Sequence, residues 1–217
     1  MNVGFNTAVP AFGSSKNRRE AQVRAMGLPE ASYNIKELMR IREERAAKVE
    51  AKYVGIPQET ATKTTVQQKK DEIIKDIANK ELGLDLSKEA KCDFLFGNAT
   101  DISKNLKHLL NLDDAQTIIA AKLVADATSK EFSQIKSADV LDYENNLSKE
   151  KYEKWNSSLE EKSDLLVRKI NGKFCGIQKE NPSWNDIYKA EEKIDNEKAA
   201  AIFPNGRKGG QKLDYSC

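Results

Sequence analysis

The 217-residue sequence predicts an all-α protein, an irregular multi-helix bundle with a long N-terminal helix and no significant sheet. Three observations carry this expectation. Apolar residues recur three and four positions apart along most of the chain, the spacing of one helix face. No strand-length stretch alternates apolar with polar residues. Glycine, proline and capping residues punctuate the chain at helix-length intervals, which sets the expected count at about seven to nine helices. Leu, Ile, Val and Phe make up about 22% of the residues, just above the roughly 20% below which disorder is the default. The chain therefore folds with little apolar surplus.

The elements follow in order. Residues 1–15 carry no charged side chain and space Val3, Phe5, Val9 and Phe12 among small polar residues. This reads as a disordered tail, and the same composition suits a short linear motif or an unconventional export leader. Residues 16–56 form an N-terminal helical arm. A short helix from Lys16 to Met26 stops at Gly27, and Pro29 then opens a long helix running to Val54, with Ile35, Leu38, Met39, Ala46, Val49 and Tyr53 on one face and Arg42 interrupting it. Those 26 residues span roughly 39 Å, against a radius of gyration of about 17 Å for a compact chain of this size, so the helix either crosses the molecule or projects from it. Gly55 and Pro57 end it.

Residues 57–65, rich in threonine, are a linker, and residues 66–171 a central helical bundle. Thr65 with Gln68 reads as a capping box before Ile73, Ile74 and Ile77, and Gly83 closes that helix. Ser87 can cap a helix bearing Phe94, Leu95 and Phe96, stopped by Gly97; Thr100 or Asp101 can cap another through Ile102, Leu106, Leu109 and Leu110. Asp113 with Gln116 opens the most apolar helix, containing Ile118, Ile119, Leu123 and Val124, which is the expected centre of the core. Ser137 to Ile170 is helical in pattern, broken at Asn145 and Asn146 and restarted by Ser148, with Tyr152, Trp155, Leu159, Leu166 and Ile170 on one stripe. Residues 172–204 supply a C-terminal turn and a helix capped by Asn181 and Pro182 that carries Trp184, Ile187, Tyr188 and Ile194, and residues 205–217 form a flexible tail. Trp155 and Trp184 are expected in the core, joining the last helices.

Composition excludes several function classes. The chain has no apolar run long enough for a membrane span and no signal peptide at its start, so the expectation is a cytoplasmic protein without membrane insertion. Cys92, Cys175 and Cys217 are odd in number and unclustered, which argues for free thiols rather than a disulfide framework or a zinc site. A single histidine, His108, removes the multi-histidine metal motifs. Cys175 with His108 would be the one thiol–imidazole pair, and Glu191, Glu192 and Asp195 the densest carboxylates near the C-terminus; neither lies in a recognisable local signature. No cofactor, metal or small-molecule ligand is expected, and no catalytic residue is assigned.

The net charge of +2 hides an uneven distribution. Residues 16–52 hold ten basic and six acidic side chains, residues 85–161 ten and fifteen, and residues 162–217 eleven and eight. Arg18, Arg19, Arg24, Arg40, Arg42 and Arg45 account for six of the eight arginines. Arginine's planar fork suits interface and phosphate pairing better than lysine does, so these six are the candidate partner-binding residues. Interleaved glutamates, including the pair Arg40 and Glu44 at helical spacing, favour a charged helix beside another helix over a phosphate-binding stripe. The leading expectation is a non-enzymatic helical interaction or adaptor protein acting through amphipathic helices, with a protein partner or self-association.

The alternative is a nucleic-acid-binding protein that uses the arginine-rich segment from Arg18 to Arg45 or the helix over 102–110. Phe96 to Leu109 reads Phe-Gly-Asn-Ala-Thr-Asp-Ile-Ser-Lys-Asn-Leu-Lys-His-Leu, and Ile102 to Leu109 resembles the recognition helix of winged helix-turn-helix repressors. The resemblance implies Ser103, Lys104, Lys107 and His108 facing a DNA groove while Ile102, Leu106 and Leu109 pack inward. The turn after Gly97 is one residue short of that pattern, and a helical segment follows where wing strands belong.

Overall fold

The computed structural model describes residues 15–28, 34–86, 91–93, 99–102 and 106–206. Among them the chain is built from seven α-helices with a single three-residue hairpin, so the all-α expectation holds. Helix α1 spans Ser15–Ala25 and stops at Gly27, whose φ of +65° only glycine adopts without strain. Helix α2 spans Ile35–Val54; the Asn34 side chain accepts from the Glu37 N–H, and Gly55 closes the helix in the left-handed region. Helix α3 spans Lys63–Leu82, opened by a reciprocal Thr62/Thr65 box and closed by Gly83. Strands β1 (Lys91–Asp93) and β2 (Ala99–Asp101) pair antiparallel, with Cys92 opposite Thr100. A 3-10 turn over Leu106–Leu110 leads into α4, Leu112–Thr128. Helices α5 (Ser137–Asn145), α6 (Lys149–Phe174) and α7 (Trp184–Ile202) complete the chain.

The main core gathers around α4. Ile118, Ile119 and Val124 of α4 are buried with Ile74 and Ala78 of α3, Leu166 and Ile170 of α6, and Ile102 and Leu109 from the preceding segment. Burying side chains of this size removes about 1.5–3 kcal/mol of unfavourable hydration each, which concentrates the chain's limited apolar supply where four elements meet. Trp155 and Trp184 are both partly buried against this core; Trp184 joins α7 to α6 through Asp164, whereas Trp155 packs on Tyr143 and bonds Glu144 of α5 instead of joining the last two helices. Outside it, α2 packs on α3, α6 and α7, so the long N-terminal helix lies against the bundle. The pairs Glu43–Lys63 and Glu50–Lys70 advance in step along α2 and α3, which makes these consecutive helices parallel. The segment between them must therefore run back along α2. Contacts from α2 to α7 run the other way: Arg45 meets Ile202, Glu50 meets Lys198 and Lys52 meets Glu197, so α2 and α7 are antiparallel.

Several boundaries differ from the sequence-based expectation for local reasons. The helix expected from Ser87 through Phe96 is replaced at residues 91–93 by β1, and Thr100 and Asp101 sit in β2 instead of capping a helix. Ladder hydrogen bonds between segments eight residues apart leave no trace in helical periodicity. The α-helix expected over 102–110 is a 3-10 turn over Leu106–Leu110, although Ile102, Leu106 and Leu109 do point inward. Helix α4 starts at Leu112 because the Asn111 side chain accepts from the Asp113 and Asp114 N–H groups, leaving both carboxylates in the favourable first turn. Helix α3 begins a turn earlier than expected, at the Thr62/Thr65 box, and α7 is capped by Ser183 with Asp186 rather than by Asn181. The expected start at Pro29 lies outside the described residues; Asn34 caps α2 as it stands. The expected break between α5 and α6 and the Ser148 start fall where the sequence put them.

Candidate functional site

Helix α2 supplies most of the candidate residues, and its two ends differ. From Glu43 onward it is covered: Ala47, Ala51 and Val54 are buried, with Val66 of α3 in the same cluster. Over its first two turns Leu38 is buried and Ile41 partly buried against the cluster that holds Val23 and Met26 of α1. Ile35 and Met39, one turn apart, stand 59% and 54% exposed. Both were expected on the helix's apolar face, and the periodicity is right; α3 begins beside Glu43 and so does not reach them. Lys36, Arg40 and Glu43 are exposed around the pair.

The six arginines singled out from sequence do not form one patch. Arg40 is exposed and held by its neighbours: it donates to both carboxylate oxygens of Glu37, at 2.7 and 3.2 Å, and pairs with Glu44. Those hydrogen bonds, Glu37's first, push the guanidinium pKa above its ordinary value and hold Glu37 below the usual carboxylate range. Arg42 lies half-buried with its guanidinium 5.5 Å from the centre of the Phe203 ring. Arg45 reaches between α1 and α7 to carbonyls at their C-terminal ends, Met26 at 2.7 Å and Ile202 at 2.9 Å. Arg18 and Arg24 are exposed on α1, and Arg19 is partly exposed there.

Of the residues implied by the repressor resemblance, Ser103 and Lys104 lie outside the described residues. Lys107 is exposed on the 3-10 turn, and the His108 Nδ1 is 2.8 Å from Asp114 Oδ2. The element that would enter a groove is a five-residue 3-10 turn.

A second arrangement, at the junction of α2, α3 and α7, could not be read from sequence. The Glu50 carboxylate takes Lys70 Nζ on one oxygen at 2.6 Å and Lys198 Nζ on the other at 2.7 Å, each group about one-quarter exposed. Burial alone would raise the Glu50 pKa, but hydrogen bonds from Lys198 and Lys70 outweigh it and hold the carboxyl below its ordinary value. Lys70 also lies 5.5 Å from the centre of the Phe174 ring. Beside this junction the Tyr53 hydroxyl is buried without a hydrogen bond of standard geometry; burial and the facing Glu197 carboxylate push it up to about 12. Cys175 follows α6 in the cluster with Ile187 and Ile194, and burial, with the Glu191 charge behind it, pushes its thiol up to about 11. A thiol so placed stays protonated at neutral pH, and it shares its cluster with Tyr53 and Trp184 rather than with His108. Among the described residues no group of three or more His, Cys, Asp or Glu side chains is arranged to hold a metal ion, so Glu191, Glu192 and Asp195 do not converge. No described helix is long and apolar enough to cross a membrane.

No protein-family model matches the chain, and comparison with curated proteins and with solved structures finds no match.

Proposed function

We propose that the protein is a non-enzymatic helical interaction protein that binds a protein partner through the outward face of α2. One observation carries this reading: Ile35 and Met39 stand 59% and 54% exposed in a chain that has few large apolar side chains to spend. The surrounding charges support it. Arg40 is already held by Glu37 and Glu44, and Arg42 and Arg45 brace α2 from behind, so the face is presented on a rigid helix and loses little conformational freedom on binding. Nucleic-acid binding draws less support, because Arg40, Arg42 and Arg45 spend their guanidinium groups on their own chain.

Site-specific photo-crosslinking tests the proposal. A benzophenone side chain at position 35 or 39, in the full chain expressed in its source cells, is expected to give discrete adducts of defined mass. The same probe at Lys80, exposed on α3, is expected to give none. Equal, diffuse labelling at all three positions would rule the α2 face out.

A further inference from the structure

We propose that the occupant of this face is a second copy of the chain, docked as an antiparallel α2–α2 pair across a two-fold axis that passes beside Met39. The inference rests on the reading of α2 as an interaction face and names its partner. Continuity of the stripe is the first argument. Ile35 and Met39 lie in line with Ala46, Val49 and Tyr53, which are partly covered further along α2, and they carry that apolar stripe past the shelter that begins beside Glu43 and Arg45. An added helix lying along the first turns would complete the cover.

Charge complementarity selects a copy of the same surface. Lys36 and Glu43 flank Met39 on the same side of the helix, Lys36 towards the N-terminus and Glu43 towards the C-terminus, and both are exposed; Lys63 of the same chain takes one Glu43 oxygen at 2.9 Å and leaves the other for an incoming cation. A two-fold axis between positions 39 and 40 sets the two helices antiparallel, with each Met39 against the other and each Lys36 level with the Glu43 of the second copy. Both flanks then carry opposite charges, the isologous arrangement that cyclic dimers require. Arg40 stays with its own Glu37 and Glu44 and brings no unpaired charge to the centre. Two apolar side chains a copy make a small contact, well short of a standard interface, so the dimer is weak, with a dissociation constant on the order of 100 μM.

Sedimentation of the full chain from about 10 μM to about 1 mM tests this, because mass action must reveal a contact of that strength. The expected result is a weight-average mass rising from 24.3 kDa towards twice that value. Met39→Glu is expected to weaken association at least about tenfold. Lys36→Glu and Glu43→Lys each place like charges level with one another and should weaken it several-fold, whereas the double charge exchange should restore it. Lys63→Gln, which removes the pair that Glu43 makes within its own chain and with it a like charge beside the incoming Lys36, should strengthen association slightly. Restoration in the double variant shows that the two charges meet across the contact, and an unchanged circular dichroism spectrum shows that each single variant folds.

A chain that stays monomeric to about 1 mM, association insensitive to Met39→Glu, or a double exchange that fails to restore it would each overturn the proposal. A monomer that still gives discrete adducts with another protein at position 39 would overturn self-association alone. A monomer without such adducts would overturn the interaction reading as well.

Discussion

The Arg45 guanidinium donates to the carbonyl oxygen of Ile202 at 2.9 Å, tying the middle of α2 to the last turn of α7 across 157 positions of sequence. The same nitrogen donates to Met26 just past the end of α1 at 2.7 Å. Two helix C-termini, each presenting carbonyl groups without a partner in the helix and a partial negative charge, thus share one cation. Arg45 is accordingly a structural residue. Arg45→Met should lower the free energy of unfolding by about 2 kcal/mol, the scale of charge-assisted hydrogen bonds lost to part-buried acceptors. Arg45→Lys should recover only part of that, since a single ammonium on a shorter reach cannot serve both carbonyls in the same geometry. Urea unfolding followed by circular dichroism measures both; an unchanged midpoint for Arg45→Met would return this arginine to the pool of candidate contact residues.

The Glu50 clamp makes stability depend on acid. Its folded pKa is depressed, so the folded state binds that proton less readily than the unfolded chain does. The stabilisation is therefore fully present above the unfolded value of about 4.5 and is lost as pH falls through the lower folded value. Glu50→Gln removes this contribution and leaves Lys70 and Lys198 facing each other without their shared anion. At pH 7 it should cost about 2–3 kcal/mol. As the pH drops below about 4.5 the wild-type and variant unfolding midpoints should converge. Parallel curves down to pH 3 would show that the carboxylate contributes nothing through its charge.

How much of this was legible in the sequence depended on the range of the interaction. Gly55 and Gly83 close helices because a left-handed residue is needed there, and Asn146 marks the end of α5 because its side-chain amide donates to the Asp142 carbonyl; each was readable in place, as was the extended Ser148 that starts α6. The hairpin of β1 and β2, the parallel course of α2 and α3, and the Glu50 clamp join residues whose proximity no local pattern encodes. The candidate face divides the same way. The spacing of Ile35 and Met39 placed them on one side of a helix, but their exposure depends on where α3 begins, which is set by the Thr62/Thr65 box and by the course of the preceding segment. The uneven arginine distribution was equally plain, yet the uses of Arg42 and Arg45 involve Phe203 and Ile202 at the far end of the chain.

Cys175 should behave as an inert thiol. With the group pushed up to about 11 by burial, only about one molecule in a thousand carries the thiolate at pH 8, against about one in ten at the ordinary value of 9.0. Packing against Ile187 and Ile194 slows access further. Alkylation by iodoacetamide at pH 8, followed for each cysteine by peptide mass spectrometry, should proceed at Cys175 about a hundredfold more slowly in the folded chain than in urea. Comparable rates in the two states would mean that the end of α6 opens readily in the native protein.

Gly172 supplies a prediction in which packing and helix propensity pull in opposite directions. It lies near the end of α6, and a Cβ at this position would stand 2.6 Å from Pro182 Cγ and 3.3 Å from Pro182 Cβ. The loop bearing Pro182 has little room to withdraw. Arg168 donates to the Pro182 carbonyl at 2.6 Å and to Asp164 at 2.7 Å, and the other Asp164 oxygen accepts from the Trp184 indole at 2.7 Å. Propensity alone would make Gly172→Ala stabilising by about 1 kcal/mol in a helix interior. The overlap should reverse the sign, with a net cost of about 2 kcal/mol as the proline is forced out and its bonded partners shift with it. Shortening the indole's reach with Trp184→Phe frees the loop from Asp164, so in that background the cost of Gly172→Ala should shrink. A double-mutant cycle on unfolding free energies measures this coupling, and strict additivity would show that Pro182 yields without disturbing the Asp164, Arg168 and Trp184 connection.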